Sequence, residues 1–224
     1  MIGYWTLKFV WYLYLGYWWF HVTHIIRGGD IFNPRLLLKE LNSEVVHAVR
    51  GGGLYLRVPI LIYFAYVFIR HLNSYNYESI LYPLSVGTHE LGHFAFSWMG
   101  EFMGVSGGLV FQLGVPIVAI LNFYFRGDFF ALFFCFGWLS TSLFLIARYV
   151  TEARAIGMPL IGPFSERKLF YDWHYFLTRL GLLPYTGFIS FSLKVLACVA
   201  MLICLIGGLW LLILAKRNSF GAKR

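Results

Sequence analysis

Polar residues in this chain come in short clusters, and between them lie apolar runs on the scale of a bilayer-crossing helix, about 20 residues. The first run, 4–26, is crowded with Trp5, Tyr12, Tyr17, Trp18 and Trp19. Rings with a polar edge favour the membrane interface, and a spanning helix is the expectation there, with His21 and His24 as solvated polar ends. Asn33-Pro34 then reads as an N-cap followed by proline in the first turn, and Gly51-Gly52-Gly53 as a stop. Between them Leu37, Leu41, Val45 and Ala48 share one face while Lys39, Glu40, Glu44, His47 and Arg50 are spread elsewhere, the pattern of an amphipathic helix lying along a membrane surface. The run 54–69 is short for a span but workable if Arg57 and Arg70 reach opposite headgroup layers. After a polar loop at 71–78, apolar residues resume near Ile80 and continue to Gly100. Residues 104–124 contain Gly104, Gly107, Gly108 and Pro116, poor material for an uninterrupted helix, and this stretch is the candidate re-entrant segment. Arg126-Gly127-Asp128 predicts a turn, 129–150 a span, 151–168 a polar connection, 169–183 a mixed aromatic and polar segment, and 187–214 the last and clearest span.

The predicted fold is therefore all-α, a polytopic transmembrane helical bundle of about five to six membrane segments with one interfacial amphipathic helix. It divides into an N-terminal membrane and interfacial segment (1–53), a membrane core (54–183) and a C-terminal transmembrane helix with a basic tail (184–224). Simple alternation from a cytoplasmic 27–53 loop leaves the basic C-terminus outside, so the positive-inside rule requires one segment that does not cross, with 104–124 the first candidate and the N-terminus the second. Composition agrees: 59% of the 224 residues are hydrophobic and only 12% charged, half of what a soluble domain carries. The net charge of +8 sits at loops and at Lys216, Arg217, Lys223 and Arg224. That placement points to anionic lipids at the basic loops and C-terminus, and away from nucleic acid. Cys135, Cys198 and Cys204 all lie in apolar runs and suggest neither disulfides nor a metal site. No cleavable signal peptide is expected, because the first apolar run is long, aromatic and lacks a small-residue cleavage site.

Chemistry enters at His89-Glu90-Leu91-Gly92-His93, an HExxH motif in the middle of the segment from Ile80 to Gly100. On a helix, His89 and His93 are one turn apart on one face, so two imidazoles can meet one metal ion. Glu90 lies about 100° round from His89, placed to take a proton from a water activated by that metal rather than to ligate it. Burying three such side chains in a chain this poor in charge costs several kcal/mol unless a metal or hydrogen bonds compensate. A catalytic zinc site normally has three protein ligands and an open position. Downstream of the motif the candidates are Glu101, Asp128, Glu152, Glu166, Asp172 and His174. Glu101 follows the motif too closely, Asp128 and Glu166 sit in charged turns, and Glu152 beside Arg154 suits a surface ion pair. Asp172 and His174 lie among aromatics in Tyr171-Asp172-Trp173-His174-Tyr175. Asp172 is the favoured third ligand on the sparseness of alternatives, His174 is the alternative, and a helix-capping role for Asp172 is the competing one. Gln112 is a candidate contact to substrate or to a developing oxyanion, against an amide simply satisfied by neighbouring backbone.

An HExxH within a hydrophobic helix, a Gly-rich stretch after it and an Asp on a later segment resemble the site-2-type intramembrane metalloproteases, the M50 class. More closely, His89 to His93, Gly100, Glu101 and Phe102, Gly107-Gly108, Gln112 with Pro116, Glu152 to Arg154, and Asp172-Trp173 resemble a group of small bacterial membrane proteins related to that class. The likeness covers roughly residues 54–183. The class's second motif, an Asn and Pro preceding Leu-Asp-Gly, is absent here, and Asp172 lies in Asp-Trp instead. The resemblance implies a Zn2+ ion completed by Asp172, peptidase activity on a membrane-spanning protein substrate, and a bacterial inner (plasma) membrane location. Hydrolysis of a lipid or another amide by the same residues, and a non-catalytic zinc-binding membrane subunit, are the rival expectations.

Overall fold

The computed structural model describes residues 54–155 and 164–221. The N-terminal segment 1–53, with the aromatic run, His21, His24 and the amphipathic stretch, lies outside the described residues, as do the last three residues of the basic tail. Every regular element among the described residues is helical. In chain order they are α1 (Leu54–Asn73), α2 (Tyr82–Phe96), α3 (Glu101–Arg126), α4 (Phe129–Glu152), α5 (Phe164–Arg179) and α6 (Thr186–Gly221), with single 3-10 turns at Ser97–Met99, Ala153–Ala155 and Leu183–Tyr185. Among the described residues, three stretches are long and apolar enough to cross a membrane: Glu101–Arg126, Phe129–Glu152 and Leu183–Arg217. The outward faces of the helices remain apolar, with Ile62 and Tyr66 on α1 and Leu202, Ile206, Leu209 and Ile213 on α6 all exposed, as expected where lipid is the solvent.

The central element is α4, whose residues 140–150 are all buried. It is flanked by α6, which runs antiparallel to it. Ser190 Oγ donates to the Ala147 carbonyl at 2.8 Å near one end, Ser140 Oγ donates to the Ala197 carbonyl at 2.7 Å half-way, and Phe129 packs on Leu211 and Ala215 at the other end. α6 thus contributes to the core along most of its length. α1 lies parallel to α4, with the Arg57 guanidinium over the Phe130 ring, Phe64 against Gly137 and His71 stacked on Phe144. The turn at 126–128 forms as expected. Gly127 closes α3 in the left-handed conformation, and Asp128 caps α4 by accepting from the Ala131 N–H at 3.0 Å.

Two expectations change. Residues 104–124 contain no interruption: α3 is continuous through its glycines and Pro116. The small residues serve a close approach between helices, since the Gly92 and Gly107 backbones of α2 and α3 touch, and a Cβ on either residue would collide with the other's carbonyl oxygen. The second change concerns the path into α2. After α1 ends, the Ile80 N–H donates to the Tyr63 hydroxyl at 3.0 Å, and Ser85 Oγ shares a hydrogen bond of 2.9 Å with Ser142 Oγ, close to the middle of α4. From there α2 runs antiparallel to α3 towards Gly100, which takes φ 94° and lets the chain reverse directly into α3. Residues 80–85 thus meet the middle of α1 and of α4 before α2 runs on to Gly100.

Candidate metal centre

Antiparallel contact between α2 and α3 builds most of the site. On α2, His89 and His93 point to α3, where a Cβ added to Gly108 would stand 2.8 Å from His89 Nε2 and from His93 Nε2. Glycine at 108 leaves that volume open. His89 is fully buried and His93 partly so. The His93 Nδ1–H donates to the Gly104 carbonyl at 2.8 Å, and the His89 Nδ1–H faces Gln112 Oε1 at 3.1 Å. Both acceptors belong to α3, eight residues apart and four residues to either side of Gly108.

Asp172 arrives from α5. Its Oδ2 lies 3.0 Å from His93 Nε2 and 3.3 Å from His89 Nε2, while the two Nε2 atoms are 2.9 Å apart. Asp172 occupies the middle of α5 and does not cap a helix. Trp173 and Leu177 hold α5 in place by packing with Leu109, Leu145, Ile146 and Tyr149 in one buried cluster.

The donor set fits a metal ion. A neutral imidazole carries one N–H, and on both rings the Nδ1 position is taken by an acceptor on α3. Each Nε2 therefore presents a lone pair to the other and to a carboxylate oxygen. Three acceptors converging within 4.8 Å repel unless a cation sits among them, and two imidazole nitrogens with one carboxylate oxygen are a usual zinc ligand set.

No known protein family, curated protein or solved structure matches this chain. Glu90 is outside the ligand cluster, on the exposed side of α2 with Gly87 and Phe94. His174 is turned away from the cluster and donates from Nδ1 to the Ala153 carbonyl at 2.8 Å, and it shares a cavity of about 430 Å3 beside Asp172 with Tyr171, Tyr175 and Arg179. Gln112, considered from sequence as a substrate contact, is fully buried against His89. Glu152 faces Tyr75 rather than Arg154 and helps push that phenol, already raised by burial, up to about 12. Thr88 and Ser106 are bonded within their own helices, to the Ser85 and Phe102 carbonyls.

Sequence reasoning passed over Arg148. It lies in an apolar run, is 7% exposed, and donates from Nη2 to Glu78 Oε1 at 3.3 Å. A lone arginine inside a predicted span was the available signal.

Proposed function

We propose that the chain is an intramembrane zinc metallopeptidase, in the manner of the site-2-type class, that hydrolyses peptide bonds of a membrane-spanning protein substrate in the bacterial inner membrane. One observation carries the reading: Nε2 of His89, Nε2 of His93 and Oδ2 of Asp172 converge from two helices, next to a glutamate that stays out of the cluster. His89, His93 and Asp172 would hold the ion. Zinc, when bound, supplies the Lewis acidity that brings the pKa of a water near neutrality. Glu90 takes the proton of the attacking water on its carboxylate and delivers it to the leaving amine nitrogen. Gln112 Oε1 and the Gly104 carbonyl keep both rings in the tautomer with Nε2 towards Asp172.

On this proposal the site lies within the membrane. α1, α3, α4 and α6 cross, and 74–99 is the re-entrant segment in place of 104–124. With the apolar run 4–26 counted from sequence, the membrane segments number about six. An even number of crossings from residue 54 to the C-terminus returns the basic tail to the side of the 27–53 loop, which removes the conflict with the positive-inside rule. The candidate ligands meet α3 at Gly108, seven residues from its start, so an ion held by them would lie about 10 Å along α3 from that start.

Metal analysis and peptidase assay of the purified chain test this together. Glu90→Gln is expected to keep about one zinc per chain and lose turnover by a factor on the order of a thousand or more, whereas His93→Ala and Asp172→Ala lose the metal and His174→Ala keeps it. Zinc retained by Asp172→Ala but lost by His174→Ala would overturn the ligand assignment. A Glu90→Gln chain with undiminished function in cells would leave the metal a structural role.

A further inference from the structure

The last turns of α4 separate two polar regions. Towards α3 and α5 is the metal centre. Towards α1 and α6 is a cavity of about 260 Å3 whose walls include His71, Ser74, Tyr75, Phe144, Arg148 and Lys194. Two cations line it. Arg148 is buried and reaches it from α4, and Lys194 stands on α6 within the stretch apolar enough to cross a membrane. Helical side chains lean towards their helix's N-terminus, and Lys194 follows that rule: its Nζ lies 5.9 Å from the centroid of the Tyr75 ring, just beyond the end of α1. The lysine thus carries its charge from the depth of the helix to the level where α1 ends and α6 begins, the level of lipid headgroups on the membrane reading.

The neighbouring groups narrow what this cavity would take. Glu78 accepts from Arg148 Nη2 at 3.3 Å with its side chain 35% exposed, so solvent screens the pair. A guanidinium has five donors and can hold a second oxyanion beside Glu78. Glu152 is engaged with the Tyr75 phenol. His71 is stacked flat on Phe144 at 4.7 Å. Its Nε2 is buried without a partner. Among the described residues, Lys194 meets the face of the Tyr75 ring. We propose that this cavity between α1, α4 and α6 binds a phosphate oxyanion, gripped by Arg148 and Lys194 with the Ser74 hydroxyl as a neutral donor. The position favours the phosphate of an anionic lipid headgroup, while free phosphate shares the same chemistry. This site is independent of the metal reading.

Calorimetric titration of the full chain in a neutral detergent tests it with three probes: dihexanoyl-phosphatidylglycerol, inorganic phosphate and phosphate-free dihexanoylglycerol. Saturable binding of the phosphatidylglycerol is expected, weakened about tenfold or more by Lys194→Gln and by Arg148→Lys, which loses the forked donor geometry. The tail variant Lys216→Gln/Arg217→Gln should bind as the parent does. Competition by millimolar inorganic phosphate would assign the site to free phosphate, and its absence to lipid; either supports the oxyanion site. Lys194 is exposed, so its variant folds even if Arg148→Lys does not. Binding unchanged in Lys194→Gln, equal binding of dihexanoylglycerol, or no saturable binding of either phosphate probe would overturn the proposal.

Discussion

At the scale of single residues, the site depends on which nitrogen of each imidazole carries the proton. Gly104 can only accept through its carbonyl, so His93 is fixed by the backbone, whereas His89 depends on the Gln112 side chain. Gln112 Nε2 is left without a partner in the interior, an arrangement that costs about 1–3 kcal/mol. That cost is offset if the amide's purpose is to orient a metal ligand. Gln112→Leu is therefore expected to weaken zinc binding by about 10–100-fold while leaving the thermal midpoint equal or higher, as read by competition with a chromogenic chelator and by a melting curve. Unchanged zinc affinity with impaired turnover would return Gln112 to the substrate-contact role that its sequence position suggested.

Between elements, two glycines of similar appearance do different things. Gly92 lies where α2 and α3 touch, and a methyl group there would collide with the Gly107 carbonyl, which is backbone and cannot swing aside. Gly108 faces the ends of two imidazoles, and a methyl group there would fill the space between the ligands. Gly92→Ala should force the helices apart, with a loss on the order of 1–3 kcal/mol of stability and the metal lost with it. Gly108→Ala should keep the helical fold and melting behaviour yet bind zinc at least tenfold more weakly. Circular dichroism melts alongside metal titrations separate the two, and a Gly108→Ala chain that binds zinc normally would refute the assignment of that space to the ion. From sequence Gly104, Gly107 and Gly108, with Pro116, argued against an uninterrupted α3. Helix propensity is a local quantity, and close packing between helices in an apolar medium overrides it.

For the whole molecule, the path of residues 74–99 determines on which side of the membrane the metal centre opens. On the proposed topology, Asn73 and Ser97 face one side and Lys216 the other. Single cysteines placed at these positions, in a chain whose three native cysteines are replaced, should react with a membrane-impermeant maleimide from opposite sides of sealed vesicles: Asn73→Cys and Ser97→Cys together, Lys216→Cys alone. Ile80→Cys should stay protected although Ile80 is 78% exposed to the surroundings of the protein, because those surroundings are lipid. Labelling of Asn73→Cys and Ser97→Cys from opposite sides would mean that α2 crosses, and the re-entrant path would fall.

The sequence by itself determined the class of fold and the start of the chemistry. Apolar runs broken by turns specify helices on the bilayer scale because unpaired backbone is intolerable in lipid, and an i, i+4 histidine pair shares a helix face by local geometry alone. Both facts reside within one element and need no partner. The tertiary structure decided what depends on two or more elements. It put Asp172 rather than His174 against the histidines, because packing of Trp173 and Leu177 sets the rotation of α5. It turned Gln112 inward to His89, made the glycines a contact rather than a break, and buried Arg148 against Glu78, 70 residues away. Such contacts follow from helix rotation and depth, and a pattern of hydrophobic and polar positions records which face of a helix is buried but not what it meets.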